Sequence, residues 1–243
     1  MNPSSNKEQL LDEVYKILIE KGIKSMTMDS VARKLKISKR TLYEIFDNKQ
    51  DLVKQALEHH TTLHRIACEQ AMANAGNIME GLLAVTKLHR DDLRNVSIEF
   101  FRDMDRLYPT MREDYEKRRT KMRQQLLLLF QAGVNQGVFR KDTNFNALTY
   151  IIEVWMESMK RMEKNLPDDL NLVDIFDTMT LTFARTIASP LGMEMLDRSI
   201  HTPAKEPSFP TLTDAELSEL SELSESSEHS ELSGSSELPA NCR

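Results

Sequence analysis

The chain has 243 residues, of which 40% are hydrophobic, so it has enough apolar material for one large domain or two small ones. Its 7 glycines and 8 prolines are too few for a turn-rich all-β fold, and no apolar run approaches the roughly 20 residues of a membrane-spanning helix. The net charge of −6 comes from residues 203–243, which carry nine acidic and two basic residues, so the rest of the chain is close to neutral.

The first 73 residues are predicted to form four helices. Leu10, Val14 and Leu18 recur at the spacing of one helical face, and Gly22 is placed to end that first helix. The next three helices each follow a residue type that caps helix N-termini, in chain order Thr27, Ser38 and Asn48. The last of these helices is expected to run to about Ala73.

The second and third helices, with the short turn between them, have the pattern of a helix-turn-helix. Ala32 is small enough for the next helix to cross closely, and Ile37 and Leu42 are expected to fill the angle between the two helices. Between residues 27 and 49, six basic residues oppose three acidic ones. Such a surface suits an anion such as DNA.

The stretch from Thr27 to Leu52 reads TMDSVARKLKISKRTLYEIFDNKQDL. It contains a Thr cap, an apolar-Ala pair, a Ser-x-x-Thr-Leu-Tyr-x-x-Phe helix and a Lys-x-x-Leu helix start. This composite pattern resembles the TetR family of transcriptional regulators. One position departs from the family, because Lys36 stands where the turn commonly carries Gly or Asn. A positive φ there would strain a lysine by about 1 kcal/mol.

The resemblance implies an all-α fold in which an N-terminal three-helix helix-turn-helix domain precedes a larger C-terminal helical domain that binds ligand and dimerises. We place these domains at residues 1–55 and 56–202. Residues 203–243 form an acidic tail rich in Ser, Glu and Leu, whose composition predicts disorder. The implied function is a repressor that binds a palindromic operator as a dimer and is released by a small ligand.

The resemblance, together with side-chain chemistry, also implies the DNA contacts. Tyr43, Thr41, Lys49 and Thr27 are expected at phosphates, and Thr41 also at a base edge. Lys and Arg side chains suit the O6 and N7 acceptors of guanine, so Lys39 and Arg40 in the third helix are the expected base readers. A solvated basic face on an ordinary three-helix unit is the alternative. The predicted DNA-binding set is Thr27, Ser38, Lys39, Arg40, Thr41, Tyr43 and Lys49.

Five more helices are predicted, near residues 78–90, 92–106, 110–136, 143–164 and 170–188. The last two carry heptad-like apolar stripes, which suit a dimer bundle or a core within one chain. The residues predicted at a dimer interface are Leu148, Ile152, Met159, Phe176, Met179 and Phe183.

In the resembled family the C-terminal helices also enclose a ligand. Bulky and Met-rich positions on the central helices predict a small apolar effector. The candidate ligand contacts are Phe100, Phe101, Met104, Tyr108, Met122 and Trp155. Charged neighbours that could anchor a polar group are Arg94, Glu99, Arg102 and Asp103.

No motif predicts catalysis, a cofactor or a metal. Cys68 follows His64 by one helical turn, but no oxyanion donor or third residue accompanies them, so we predict no enzyme. His60 and His64 have the spacing of metal ligands, yet no further ligand can be assigned, and we predict no metal site. The paired acids Asp91 and Asp92 are expected at a helix start.

Two cysteines suit a reducing compartment, and the N-terminus lacks the apolar segment of a signal peptide. The sequence therefore predicts a cytoplasmic protein without membrane association, whose partners are double-stranded DNA and a second copy of itself. The alternative is a helical ligand-binding or protein-interaction module in which DNA binding is secondary.

Overall fold

A computed structural model describes residues 3–107, 109–162, 166–167 and 169–201. Over these ranges the predicted all-α class is confirmed: no β-strand forms, and a single isolated bridge joins Phe139 to Ala188. Tyr108 and the acidic tail at 203–243 lie outside the described residues. The helices are α1 (Pro3–Lys21), α2 (Met28–Lys34), α3 (Lys39–Ile45), α4 (Lys49–Ala73), α5 (Ile78–Arg94), α6 (Ile98–Leu107), α7 (Pro109–Asn135), α8 (Phe145–Met162), α9 (Leu172–Ile187) and α10 (Pro190–His201).

The three predicted caps are confirmed, and each closes the start of its helix with a local hydrogen bond. Thr27 accepts from the Ser30 amide at 3.1 Å, and Ser38 accepts from the Thr41 amide at 2.9 Å. Asn48 likewise accepts from the amide three residues later at 2.9 Å. Each bond satisfies an amide that has no partner within the helix.

Gly22 ends α1, as predicted, with a φ of 77° that side chains rarely adopt. A Cβ at this position would lie 2.8 Å from Cβ of Glu99 on α6. The glycine therefore lets the end of α1 approach α6 closely.

One sequence prediction about a helix end is wrong. The helix expected to stop near residue 90 continues to Arg94, so Asp91 and Asp92 lie in the last turn of α5 rather than at a helix start. No glycine or proline separates these acids from the preceding helix, and Asn95 is the residue that caps its end. The sequence analysis also missed a helix, α10, which begins at Pro190, where the missing proline amide costs no hydrogen bond.

The apolar side chains form three buried groups. The N-terminal core combines α1 to α4 around Leu18, Val31, Leu42 and Leu52, and it also takes in Phe100 from α6. The C-terminal core contains Phe130, Phe139, Leu148, Ile187 and Leu196. The Trp155 cluster consists of Met159, Leu172 and Phe176 with Leu93, Trp155, Met156 and Leu166 packed against them.

α4 connects the N-terminal helices to the rest of the molecule. Its first half contributes Leu52, Val53 and Ala56 to the N-terminal core, and the helix runs on without a break to Ala73. Its second half packs against α5. Within the described part of the chain, no helix is both long and apolar enough to cross a membrane.

Candidate nucleic-acid interface

The turn between α2 and α3 has the geometry that the sequence predicts. Lys36 has a φ of 55°, so a lysine occupies the left-handed position where the resembled family commonly has Gly or Asn. The next residue turns back towards α2, because the Ile37 amide donates to the Ala32 carbonyl at 3.0 Å. Leu42 is fully buried beneath the turn and holds α3 against α2.

The polar residues at the start of α3 are exposed. Ser38, Thr41 and Tyr43 all face solvent, and the Tyr43 side chain is 47% exposed. The Ser38 and Thr41 hydroxyl oxygens lie 2.8 Å apart, which orders the first turn of the helix. α3 therefore presents short polar side chains and one aromatic hydroxyl on a rigid apolar support.

Both predicted base readers are paired with an acid in the DNA-free molecule. Nζ of Lys39 lies 2.7 Å from Oδ1 of Asp29, and this contact raises the pKa of Lys39. Nε of Arg40 donates to Oε1 of Glu44 at 2.9 Å. Since Asp29 lies in the first turn of α2 and Lys39 begins α3, the first pair also shows that the two helix N-termini lie side by side.

The sequence analysis did not assign a role to either acid. Glu44 could have been found, because it follows Arg40 by four residues on one helical face. Asp29 could not, since its approach to Lys39 depends on how α2 and α3 cross. The net charge of the surface is therefore less positive where the base readers sit than a count of lysines suggests.

Lys49 is placed differently from the other predicted phosphate contacts. Its ammonium donates to the Met26 carbonyl at 2.5 Å and lies 3.4 Å from the Lys24 carbonyl. Partial burial lowers the pKa of this amine, while the charge of Asp103 opposes that shift. In the DNA-free molecule Lys49 thus stabilises the loop that precedes Thr27 through these contacts with its carbonyl oxygens.

The same loop is held from the other side by α6. The Lys24 amide donates to Oδ2 of Asp103 at 2.6 Å, and Asp103 is only 8% exposed. A second link joins the Ser97 amide to the Ile19 carbonyl at 2.7 Å. Asp103, a candidate ligand anchor in the sequence, is therefore engaged in joining α6 to the helix-turn-helix unit.

The candidate ligand contacts are not brought together. Phe100 belongs to the N-terminal core, and Phe101 and Met104 pack against that core from the same helix. Met122 is 49% exposed on α7. Trp155 lies elsewhere, on the side of α8 that packs against α9.

Trp155 has an aromatic environment and an unusual polar atom. Its ring stacks on Phe176 with centroids 5.6 Å apart and meets the edge of Phe183 at 5.8 Å. The indole Nε1 is buried, and no acceptor among the described residues forms a hydrogen bond with it. Buried indole N–H groups normally have a partner.

The predicted dimer residues mostly face the interior of the subunit. Leu148, Met159 and Phe176 are buried, Ile152 and Phe183 pack against the C-terminal core, and Met179 is half-buried. For these residues the structure favours the alternative of a core within one chain, because the helical stripe marks the buried face. The apolar side chains that α8 exposes are Tyr150, Ile151 and Val154.

His64 and Cys68 meet two residues from α5 that the sequence analysis did not connect with them. His89 packs edge-on to His64 with ring centroids 4.6 Å apart, and Oδ2 of Asp92 lies 3.2 Å from Nε2 of His64. Burial raises the pKa of the Cys68 thiol to about 11, so the thiolate needed for nucleophilic catalysis is scarce at neutral pH. The pair therefore lacks the character of a Cys–His nucleophile.

Two short helices that cross at a tight turn, with the polar start of the second exposed, define a helix-turn-helix domain of the DNA-binding class. Residues 10–56 match the family model described as bacterial regulatory proteins, tetR family. The N-terminal part of the chain is therefore similar to the DNA-binding part of the TetR family.

One curated relative is an uncharacterized HTH-type transcriptional regulator, YvkB, of Bacillus subtilis (strain 168). The two chains are 28% identical over 103 residues, which are 40% of this chain and 52% of the relative. The chain thus spans about half the length of the curated relative it matches.

Solved structures with a similar fold cover the helical body as well. A proposed transcriptional regulator from Saccharomonospora viridis, in complex with choline, has a TM-score of 0.63 at 18% identity over 76% of this chain and 99% of that chain. A TetR-family regulator from Agrobacterium tumefaciens has a TM-score of 0.62 at 15% identity over 77% of this chain and 100% of that one. The ketosteroid regulator KstR2 of Mycobacterium tuberculosis has a TM-score of 0.54 at 18% identity over 77% and 97%. At these identities the likeness shows a shared fold.

Proposed function

We propose that the chain is a cytoplasmic repressor that binds a palindromic operator as a dimer. Residues 1–55 bind double-stranded DNA, and residues 56–202 bind an effector and dimerise. The observation that carries the proposal is the exposed start of α3, where Ser38, Thr41 and Tyr43 stand on a buried support. A major groove about 12 Å wide admits a helix end with short polar side chains.

The DNA contacts follow from what each side chain can donate. The hydroxyls of Tyr43, Thr41 and Thr27 bind phosphate oxygens, and Ser38 orders the turn that carries Thr41. Lys49 keeps the loop before Thr27 in place and adds positive charge at the start of α4.

Lys39 and Arg40 exchange their acids for guanine when DNA binds. An exposed ion pair is worth less than about 1 kcal/mol, whereas a good bidentate base contact discriminates by about 1–3 kcal/mol. The exchange therefore favours the correct DNA sequence. On DNA without guanine at the right position, Asp29 and Glu44 retain their partners and add repulsion towards phosphates.

The second copy docks on the face of α8 that carries Tyr150, Ile151 and Val154. These three apolar side chains are exposed on a helix whose other face is buried in the subunit. A two-fold dimer places two recognition helices about 34 Å apart, one turn of DNA, and so doubles the contacts of a short half-site.

The effector occupies the Trp155 cluster. We expect a small, mostly apolar molecule with one acceptor for the buried indole Nε1. The complex of the Saccharomonospora viridis protein with choline supports only that a protein of this fold can bind a small molecule. An effector that binds more tightly to a dimer with a different helix separation lowers DNA affinity by its differential affinity for the two states.

Selection from a random-sequence DNA library with the purified full-length protein tests the DNA-binding proposal. We expect enrichment of a palindromic site, and a plot of log K against log salt with a slope of about −4 to −8. Tyr43→Phe should weaken binding to that site about tenfold, since a hydrogen bond to a charged group is worth about 1.5 kcal/mol or more. Thr61→Val, which removes an exposed hydroxyl from α4 outside the proposed DNA and dimer surfaces, is the control and should bind normally. Absence of any enriched, salt-sensitive binding would overturn the proposal.

Trp155 is the single tryptophan of the chain, so its fluorescence reports directly on the proposed effector site. Compounds that change this fluorescence are then tested for release of the protein from its DNA. If DNA selection fails but compounds still change the fluorescence, the alternative of a helical ligand-binding module is favoured.

A further inference from the structure

Three residues with metal-binding side chains converge where α4 packs on α5. His64 and Cys68 lie one turn apart on α4, and His89 comes from α5. Their ligand atoms, one from each residue, all lie within 4.8 Å of one another. All three side chains are half-buried. A helix–helix contact thus gathers two imidazoles and one thiol that are 25 residues apart in the chain at most.

The polar contacts of the two imidazoles indicate which nitrogen of each ring faces the cluster. Nδ1 of His89 lies 2.9 Å from the Val85 carbonyl and donates its proton there, which leaves the lone pair on Nε2. Nε2 of His64 faces Oδ2 of Asp92 at 3.2 Å, and a carboxylate there favours the proton on that nitrogen. The Cys68 thiol donates to Nδ1 of His64 at 3.5 Å, so this lone pair points at the sulfur.

We propose that His64 Nδ1, Cys68 Sγ and His89 Nε2 bind one Zn²⁺ ion or a similar transition-metal ion. Imidazole and thiolate are the ligands that such cations prefer over oxygen donors. Asp92 stands behind His64 as the carboxylate that orients a ligating imidazole, an arrangement common at zinc sites. With three protein ligands, a water molecule takes the fourth position.

The distances suit this assignment after small side-chain movements. With Zn–N near 2.0 Å and Zn–S near 2.3 Å, ligand atoms in a tetrahedral site are about 3.5 Å apart. The Nδ1 to Sγ distance already has this value, and all three ligand atoms lie within 4.8 Å of one another, so closing the site needs side-chain movements of about 1 Å. Binding releases the thiol proton of Cys68 to solvent, and the thiolate with the Asp92 carboxylate balances the two positive charges of the ion.

The proposed site lies where a bound ion would link two helices. His64 and Cys68 belong to the helix that starts at the helix-turn-helix unit, and His89 belongs to the helical body. A bound ion would therefore join α4 to α5 by coordinate bonds at a point where only packing and polar contacts join them otherwise.

Cobalt(II) titration of the untagged, chelator-treated full-length protein tests the proposal, because thiolate ligation gives an intense near-ultraviolet charge-transfer band. The titration is made in the Cys242→Ser variant, so that Cys68 is the only thiol. We expect the band to saturate at one Co²⁺ per chain, and Zn²⁺ to abolish it. Cys68→Ser should remove the band, and His89→Asn should weaken Co²⁺ binding at least tenfold.

His59→Asn is the matched control, since His59 lies on the same helix but pairs with Asp12 at 3.1 Å. It should leave the titration unchanged. Circular dichroism verifies that each variant keeps its helix content. Absence of the band from the Cys242→Ser protein, or a band that survives His89→Asn unchanged, would overturn the proposal. The readout needs no DNA, so this result and the test of DNA binding are independent.

Discussion

At the scale of single residues, the ion pair of Lys39 with Asp29 predicts how a change at Asp29 alters non-specific DNA affinity. Asp29→Asn removes one negative charge from each recognition surface and releases the Lys39 ammonium for phosphates. We expect non-specific DNA affinity to rise about fivefold and the salt slope to steepen by about 0.9 per subunit. Fluorescence anisotropy with unrelated duplex DNA at several salt concentrations measures both.

Asp142→Asn is the control for that variant, because Asp142 is also exposed and pairs with Arg140 at 2.7 Å, in the loop before α8. It changes the net charge equally but leaves the helix-turn-helix untouched. Equal effects of the two variants would show that overall charge, rather than Lys39, sets non-specific affinity.

The left-handed conformation of Lys36 makes a second prediction at this scale. Lys36→Gly should raise the free energy of unfolding by about 1 kcal/mol, because glycine adopts a φ of 55° without strain. Lys36→Ala removes the same charge but keeps the Cβ, so it should give no such gain. Urea denaturation compares the three proteins, and an equal gain in both variants would assign the effect to the lysine charge instead.

At the scale of elements, the contact of α6 with the helix-turn-helix unit depends on one buried carboxylate. Asp103→Ala leaves the Lys24 amide without its acceptor and should lower the free energy of unfolding by about 2 kcal/mol. Asp103→Asn keeps an acceptor for the Lys24 amide and should lower the free energy of unfolding by a smaller amount. Asp142→Ala, at an exposed ion pair, should lower the free energy of unfolding much less than Asp103→Ala. Urea denaturation that ranks Asp142→Ala with Asp103→Ala would contradict the role assigned to this contact.

The same scale shows what sequence can and cannot predict. The caps at Thr27, Ser38 and Asn48 were predictable, because each bond reaches only three residues along the chain. The meeting of His89 with Cys68 was not, since it depends on the register of α5 against α4. Periodicity in α8 likewise identified a buried face correctly but could not say whether a second subunit or the same chain covers it.

The ligand candidates failed to converge for a related reason. Phe100 and Trp155 are equally bulky and apolar in sequence, yet one joins the N-terminal core and the other the Trp155 cluster. The type of a side chain therefore predicts that it is buried but not which residues it packs against.

At the scale of the whole molecule, the proposed dimer would turn a weak half-site contact into tight binding. Ile151→Glu places a charge in the proposed dimer face, and we expect a monomer by analytical ultracentrifugation. Operator affinity should fall about 100-fold or more, because the second half-site contact is then no longer intramolecular. Leu191→Glu, at another exposed apolar position on α10, is the control and should stay dimeric. A dimeric Ile151→Glu protein would move the interface to a different face.

α4 is long enough for a small tilt near His64 to displace its DNA end by a larger distance. Its 25 residues span about 37 Å, and His64 lies 15 residues, or about 22 Å, from Lys49 at the DNA end. A tilt of about 5° around the turn that holds His64 would carry Lys49 through about 2 Å. In a two-fold dimer the opposite tilt of the partner helix doubles this to about 4 Å in recognition-helix spacing, more than any hydrogen bond to DNA tolerates. In the proposed regulator, a tilt of this size where α4 packs against α5 would therefore be enough to weaken operator binding.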